Sequence, residues 1–251
     1  MTRLFVSEDL RNSDNYTLTD DNAHYVGQVL RMRTGESLVI VDGNGLEYVS
    51  EVCSIDKKEV SLKLGVAQEN TSEPPYEVTL YQAVSKGERM DLTIQKCVEL
   101  GVTRIVPVMS NRCIVKMDKK NDGKIARWQK IALEAARQSG RGIVPEVCDV
   151  MFFEEAIEEV KRDGFDLALI PWEEEKDKGI KEAIAKARGE VQGGRRARIA
   201  VFVGPEGGFE SEECQMAGRQ GIVPVTLGPR ILRTETAGAA VLAMFIYEME
   251  L

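Results

Sequence analysis

The chain has 251 residues, 43% of them hydrophobic and 29% charged, the composition of a globular protein that buries a core without disulfide or metal staples. Its formal net charge is −8 and its pI is near 5.0, which weighs against indiscriminate nucleic-acid binding. No apolar run is long enough to span a bilayer, the longest being residues 237–247, and residues 4–6 are too few for a signal-peptide core.

From the N-terminus the pattern is mostly β. Residues 4–6 read as a short strand and 37–41 as another, followed by the hairpin turn Asp42-Gly43-Asn44-Gly45. Strands over 46–55 and 59–66 continue the meander, with Lys57 and Lys58 at the turn between them. A helix over 19–30, capped by Thr19 or Asp20, interrupts it. Short strands at this spacing suggest a small barrel over residues 1–70. The polar run 68–76, with Pro74-Pro75, is the linker candidate, and a linker at 71–77 sets off a second domain over 78–251.

There the rhythm changes. Strands over 78–84, 102–109, 144–148, 166–170, 198–203 and 222–227 alternate with helices over 87–100, 124–139, 153–162, 179–188, 210–220 and 236–249. This alternation implies an α/β fold with a parallel sheet covered on both faces. Residues 192–198 (QGGRRAR) break the rhythm and read as a basic, solvated loop. The last helix is apolar on every side from Thr236 to Tyr247, so it is expected to be buried all round.

Cys53, Cys97, Cys113, Cys148 and Cys214 are odd in number and form no Cys-x-x-Cys pair, and His24 is the single histidine. This argues against a metal site or a disulfide framework and for a reducing, cytoplasmic setting. His24, beside Tyr25 and Val26, reads as structural.

Ligands of an open parallel sheet bind outside the carboxyl ends of its strands. Two strands here end in glycine-proline loops, Val203-Gly204-Pro205-Glu206-Gly207-Gly208-Phe209 and Leu227-Gly228-Pro229-Arg230-Ile231-Leu232-Arg233-Thr234-Glu235-Thr236. Glycine lets backbone approach a ligand closely, and exposed amides and carbonyls can pair with a flat heteroaromatic base. Neither loop is a P-loop or a G-x-G-x-x-G turn, so the ordinary nucleotide-phosphate readings are disfavoured.

These loops, with KGERMDLTIQKCVELGV (residues 86–102), EAARQSGR (134–141) and LRMRTGE (30–36), resemble the RsmE family. Its members are SPOUT-class methyltransferases that use S-adenosylmethionine to methylate N3 of a uridine of 16S rRNA, at position 1498 in the standard rRNA numbering. The resemblance runs almost the full length. It implies a PUA-like β-barrel at the N-terminus, a deep trefoil knot in the parallel-sheet domain, and a homodimer formed partly by the last helix. It implies a cofactor pocket lined by Val203, Gly204, Glu206 and Gly207 on one side and Leu227, Gly228, Ile231, Leu232, Thr234 and Ala237 on the other, completed by Ile170, Pro171 and Trp172. Within that pocket Arg233 is expected to hold the uracil oxygens and Glu206 or Glu235 to take the N3 proton. The alternative is that these three pair to brace the loops.

Residues 78–150 carry a net charge of +5, while every other segment is acidic. Lys86, Arg89, Arg112, Arg137 and Arg141 from that block, with Arg31 and Arg33, are the expected phosphate contacts to rRNA in the 30S subunit.

Overall fold

The protein is described from a computed structural model covering residues 1–115, 117 and 122–251. The residues divide into two units, Met1–Glu73 with Ala136–Val144, and Pro74–Ala135 with Pro145–Leu251.

In the first unit β1 (Arg3–Phe5), β2 (Asn15–Thr19), β3 (Ser37–Val41), β4 (Leu46–Ile55), β5 (Glu59–Lys63) and β6 (Ala67–Glu69) form one sheet. Its order is β1-β3-β4-β5-β2, with β6 also on β4. All pairs are antiparallel except β1 with β3. A register shift between Val52 and Ser54 bulges the long β4, which pairs with β6 at its start and with β5 at its end. Leu18, Leu38, Ile40, Val52, Val60 and Leu62 alternate inward to make the core, joined by Val26.

Two of these strands were not expected. Only Tyr16 and Leu18 alternate in β2, and β6 has every side chain exposed, so it carries no hydrophobic period and overlaps the start of the polar run 68–76. The helix expected over 19–30 is shorter: α1 (Asp20–His24) passes into a π-helical turn, Tyr25–Val29.

Residues 136–144 of this unit are fastened by charge. Arg141 is 2% exposed, and its guanidinium reaches both carboxylate oxygens of Glu73 at 2.8 Å. Glu73 also accepts the Gly142 amide at 2.8 Å. Burial alone would raise the Glu73 pKa, but Arg141 and these amides outweigh it and hold the carboxyl below its ordinary value. The Arg137 guanidinium lies over the Tyr25 ring, 4.5 Å from its centroid.

The second unit is a seven-stranded sheet built from β7 (Tyr76–Ala83), β8 (Arg104–Met109), β9 (Glu146–Val147), β10 (Met151–Phe152), β11 (Leu167–Pro171), β12 (Ala197–Val203) and β13 (Val223–Val225). The order is β10-β8-β7-β12-β11-β13, with β9 on β8, and every pair is parallel. The central strands are apolar on both faces, as a covered parallel sheet requires. Tyr81 of β7 stacks on Phe202 of β12 with centroids 4.5 Å apart, and Phe153 meets Phe202 edge-on at 5.8 Å. The helices are α2 (Arg89–Glu99), α3 (Asp122–Ser139), α4 (Phe153–Asp163), α5 (Ile180–Gln192), α6 (Ser211–Arg219) and α7 (Thr234–Met249).

Helix α7 packs on α2, α5 and β12, burying Gly238, Val241, Leu242 and Phe245. It is not buried all round as its composition suggests, because Ala243 is exposed and Tyr247 is 71% exposed. No helix among the described residues is long and apolar enough to cross a membrane.

Replacing Glu73 with Gln strands a buried guanidinium, and the expected cost is about 3 kcal/mol in denaturant or thermal unfolding. Because the folded pKa of Glu73 is lowered, its stabilisation is complete above the ordinary value of 4.5 and is lost as pH falls through the folded value. The acid limb of a stability profile should therefore be shallower in Glu73→Gln than in the parent.

Candidate functional site

In the second unit, β12 and β13 release the two glycine-proline loops at their carboxyl ends. The loop after β12 is compact. Phe209 anchors it in the core, its ring 5.1 Å from that of Phe153, and the Gly208 amide donates to the Pro205 carbonyl at 3.0 Å. Gly204 packs tightly against its own loop: a Cβ would lie 3.2 Å from the Gly208 carbonyl carbon and the Phe209 nitrogen. Gly208 has φ +68°, and a Cβ there would collide with the Glu173 carboxylate.

This loop is held by basic and polar residues from the ends of β7 and β8. Glu206 Oε1 accepts the Lys86 amide at 2.9 Å and Arg89 Nη1 at 2.8 Å. Burial pushes the Glu206 pKa up, but the Lys86 amide and the Arg89 guanidinium pull harder, and the carboxyl sits below its ordinary range. Arg89 Nε also lies 3.8 Å from Glu235 Oε2, so one guanidinium bridges both carboxylates. Arg112 Nη1 donates to the Gly207 carbonyl at 2.9 Å, and the Asn111 amide donates to Glu213 at 2.9 Å.

The second loop lines a pocket with the end of β11. Of the expected residues, Pro171, Trp172, Leu227, Gly228, Ile231, Leu232 and Ala237 form its wall, together with Glu173, Lys176, Thr226, Pro229 and Arg230. It encloses about 100 Å³, so a larger ligand would rest partly on the rim, where Ile231 is 85% exposed. A larger cleft of about 540 Å³ lies around the amino ends of β11 and β13, lined by residues such as Asp166, Leu167 and Gln220. It contains none of the expected site residues, and the carboxyl-end pocket is the better candidate because the second glycine-proline loop, the turn after β11 and the start of α7 meet there.

The remaining expectations divide. Ile170 and Val203 are buried at 0% and 2% exposure and lie beneath the site, not in the pocket wall. Gly204, Glu206, Gly207 and Thr234 also lie outside that wall, on the adjoining loop and at the start of α7. Arg233 is exposed, and its side chain makes no hydrogen bond or ion pair among the described residues. Arg31, Arg33 and Lys86 are exposed. Arg89 and Arg112 are engaged by the loop after β12, and Arg137 by Tyr25. Arg141 must be removed from the expected phosphate contacts, since its buried guanidinium is committed to Glu73. Sequence reading missed Glu173 and Lys176, which a turn after β11 carries to the pocket, and Gln82, a lone amide in an apolar strand.

A family model described as an RNA methyltransferase domain matches residues 72–246, and one described as an RNA methyltransferase PUA domain matches residues 18–65. Ribosomal RNA small subunit methyltransferase E of Bacillus subtilis is 32% identical over 255 residues, covering 100% of this chain and 98% of its own. The protein of that name from Aquifex aeolicus is 30% identical, covering 97% of this chain and 98% of its own. The solved structure of ribosomal RNA small subunit methyltransferase E from Neisseria gonorrhoeae, bound to S-adenosyl methionine, superposes with a TM-score of 0.85 at 33% identity, covering 98% of this chain and 97% of its own. A Legionella pneumophila protein solved with bound cofactor SAM gives 0.85 at 32% identity, with coverage of 98% and 97%. With matches that take in both units, the chain belongs to the RNA methyltransferase family that includes ribosomal RNA small subunit methyltransferase E.

Proposed function

We propose that the protein transfers a methyl group from S-adenosylmethionine to N3 of a uridine in 16S rRNA, at position 1498 in the standard rRNA numbering. The observation that carries this reading is the convergence of Leu227, Gly228, Ile231, Leu232, Ala237 and Trp172 in one pocket at the carboxyl ends of β11 and β13. The residues present fit the cofactor. The apolar side chains offer a face to a flat base, and Glu173 offers negative charge to a cationic group. Trp172 Nε1 is a buried donor without a hydrogen-bond partner among the described residues.

S-adenosylmethionine supplies an electrophilic methyl group on its sulfonium. The uracil N3 carries a proton and attacks only as that proton leaves, so the chain must remove it and stabilise the resulting anion. Arg233, exposed and unpaired among the described residues, holds the uracil oxygens. Glu206 is a poor base while the Lys86 amide and Arg89 keep its pKa low, and it braces the loop. Glu235 takes the proton: among the described residues its Oε2 makes no hydrogen bond, and Arg89 approaches it at 3.8 Å. Arg31, Arg33 and Lys86 contact phosphates, and the target base is unstacked to reach the pocket.

In this reading residues 1–70 are the RNA-binding domain, 71–77 the linker and 78–251 the methyltransferase domain. The return of α7 from the edge strand β13 to α2 and β12 supports a trefoil knot in that domain. We also assign a cytoplasmic setting, with the 30S subunit as substrate and a second copy of the chain as partner through the open face of α7.

Methyl transfer from labelled S-adenosylmethionine to 30S subunits or 16S rRNA, followed by nucleoside analysis, is expected to yield 3-methyluridine; another product overturns the specificity. Arg233→Ala should lower kcat by about 100-fold with little change in S-adenosylhomocysteine affinity. Equal losses in both would mean that Arg233 supports the pocket. Tyr247→Glu should shift a dimer to monomer in sedimentation; an unchanged mass would exclude this face of α7 from the interface.

A further inference from the structure

Gln82 is fully buried at the end of β7 and lies outside the pocket wall. Its Nε2 donates to Thr234 Oγ1 at 2.9 Å and to the Ala83 carbonyl at 3.1 Å. The Thr234 hydroxyl donates in turn to the Gly204 carbonyl at 2.6 Å. A carbonyl oxygen only accepts, so Thr234 must give its proton to Gly204. Its oxygen is then left as an acceptor, and Gln82 must present its amino group to it. The relay therefore has one direction, from β7 through the first residue of α7 to the first glycine of the loop after β12. Both amino protons of Gln82 are used, while Oε1 has no hydrogen-bond partner among the described residues. The amide is oriented by Thr234 and Ala83, at the expense of its own acceptor.

Two loops are joined at this point. Gly204 opens the loop that carries Glu206, and its carbonyl is the point at which Thr234 takes hold of that loop. Thr234 closes the loop that carries Leu227 to Arg233, which forms half of the pocket wall. We propose that Gln82 is a positioning residue for the cofactor site: through Thr234 it sets the separation of the two glycine-proline loops without touching the cofactor. The proposal rests on the methyltransferase reading above. It accounts for a donor amide in the middle of an apolar sheet, where an aliphatic side chain would fill the same space.

The test is a double-mutant cycle on the full chain, with S-adenosylhomocysteine affinity by calorimetry and ligand-free thermal unfolding as the two measurements. Gln82→Met removes the donors at similar volume, Thr234→Val removes the hydroxyl, and Thr234→Ser retains it. Gln82→Met and Thr234→Val are each expected to weaken binding about tenfold, with the double variant no worse than the weaker single, because both break one relay. Thr234→Ser should bind like the parent, and ligand-free unfolding should change little. Parent-like binding by Gln82→Met overturns the proposal. So do losses that multiply in the double variant, or losses that simply follow a fall in thermal stability. If Gln82→Met does not fold, the contrast of Thr234→Val with Thr234→Ser decides: equal affinities overturn it. A parent chain that binds no S-adenosylhomocysteine overturns the methyltransferase reading itself, and the proposal with it.

Discussion

Seven consecutive residue pairs join β7 to β12, from Tyr76 opposite Ala197 to Gln82 opposite Val203. The candidate site depends on the level at which those two parallel strands stop. Because they end together, the loop after β12 emerges beside Lys86 and Arg89, and Glu206 can meet an amide and a guanidinium that follow β7. The stacked Tyr81 and Phe202 rings hold that register from below, and Phe209 ties the loop back into the same aromatic cluster. A one-residue slip would turn the side chains of the slipped strand to the opposite face of the sheet and part the Tyr81–Phe202 stack.

The division of labour among charged residues follows from this geometry. A net positive segment in an acidic chain suggests cations waiting for phosphate, yet several of its arginines have partners within the protein. Arg89 bridges Glu206 and Glu235, Arg112 holds a loop carbonyl, and Arg141 is buried against Glu73. Such cations set the shape of the protein. The exposed Arg31, Arg33 and Lys86 keep their charge toward solvent.

Much of the architecture is legible in the sequence because its signals are strong. Apolar runs of strand length alternate with amphipathic helices, and paired glycines and prolines mark both site loops. The order of the strands is not legible, since β7 and β12 are more than a hundred residues apart and periodicity carries no information on who pairs with whom. Strand β6 is invisible because all its side chains face solvent. At the site, the pocket residues of the second loop can be read from glycine and proline, whereas Gln82 looks like an isolated polar residue in a buried strand. Its significance lies in a hydrogen bond to a residue 152 positions away.

The seam between α7 and α2 is closed over a thiol. A Cβ on Gly238 would stand 3.2 Å from Cys97 Sγ, and Cys97 is fully buried, with its pKa pushed up to about 12 by burial. In the closed state that sulfur is both shielded and protonated, and so inert to alkylation. Alkylation of Cys97 therefore requires the native packing around it to open, so its labelling rate reports on that opening and not on the surface chemistry of the folded chain.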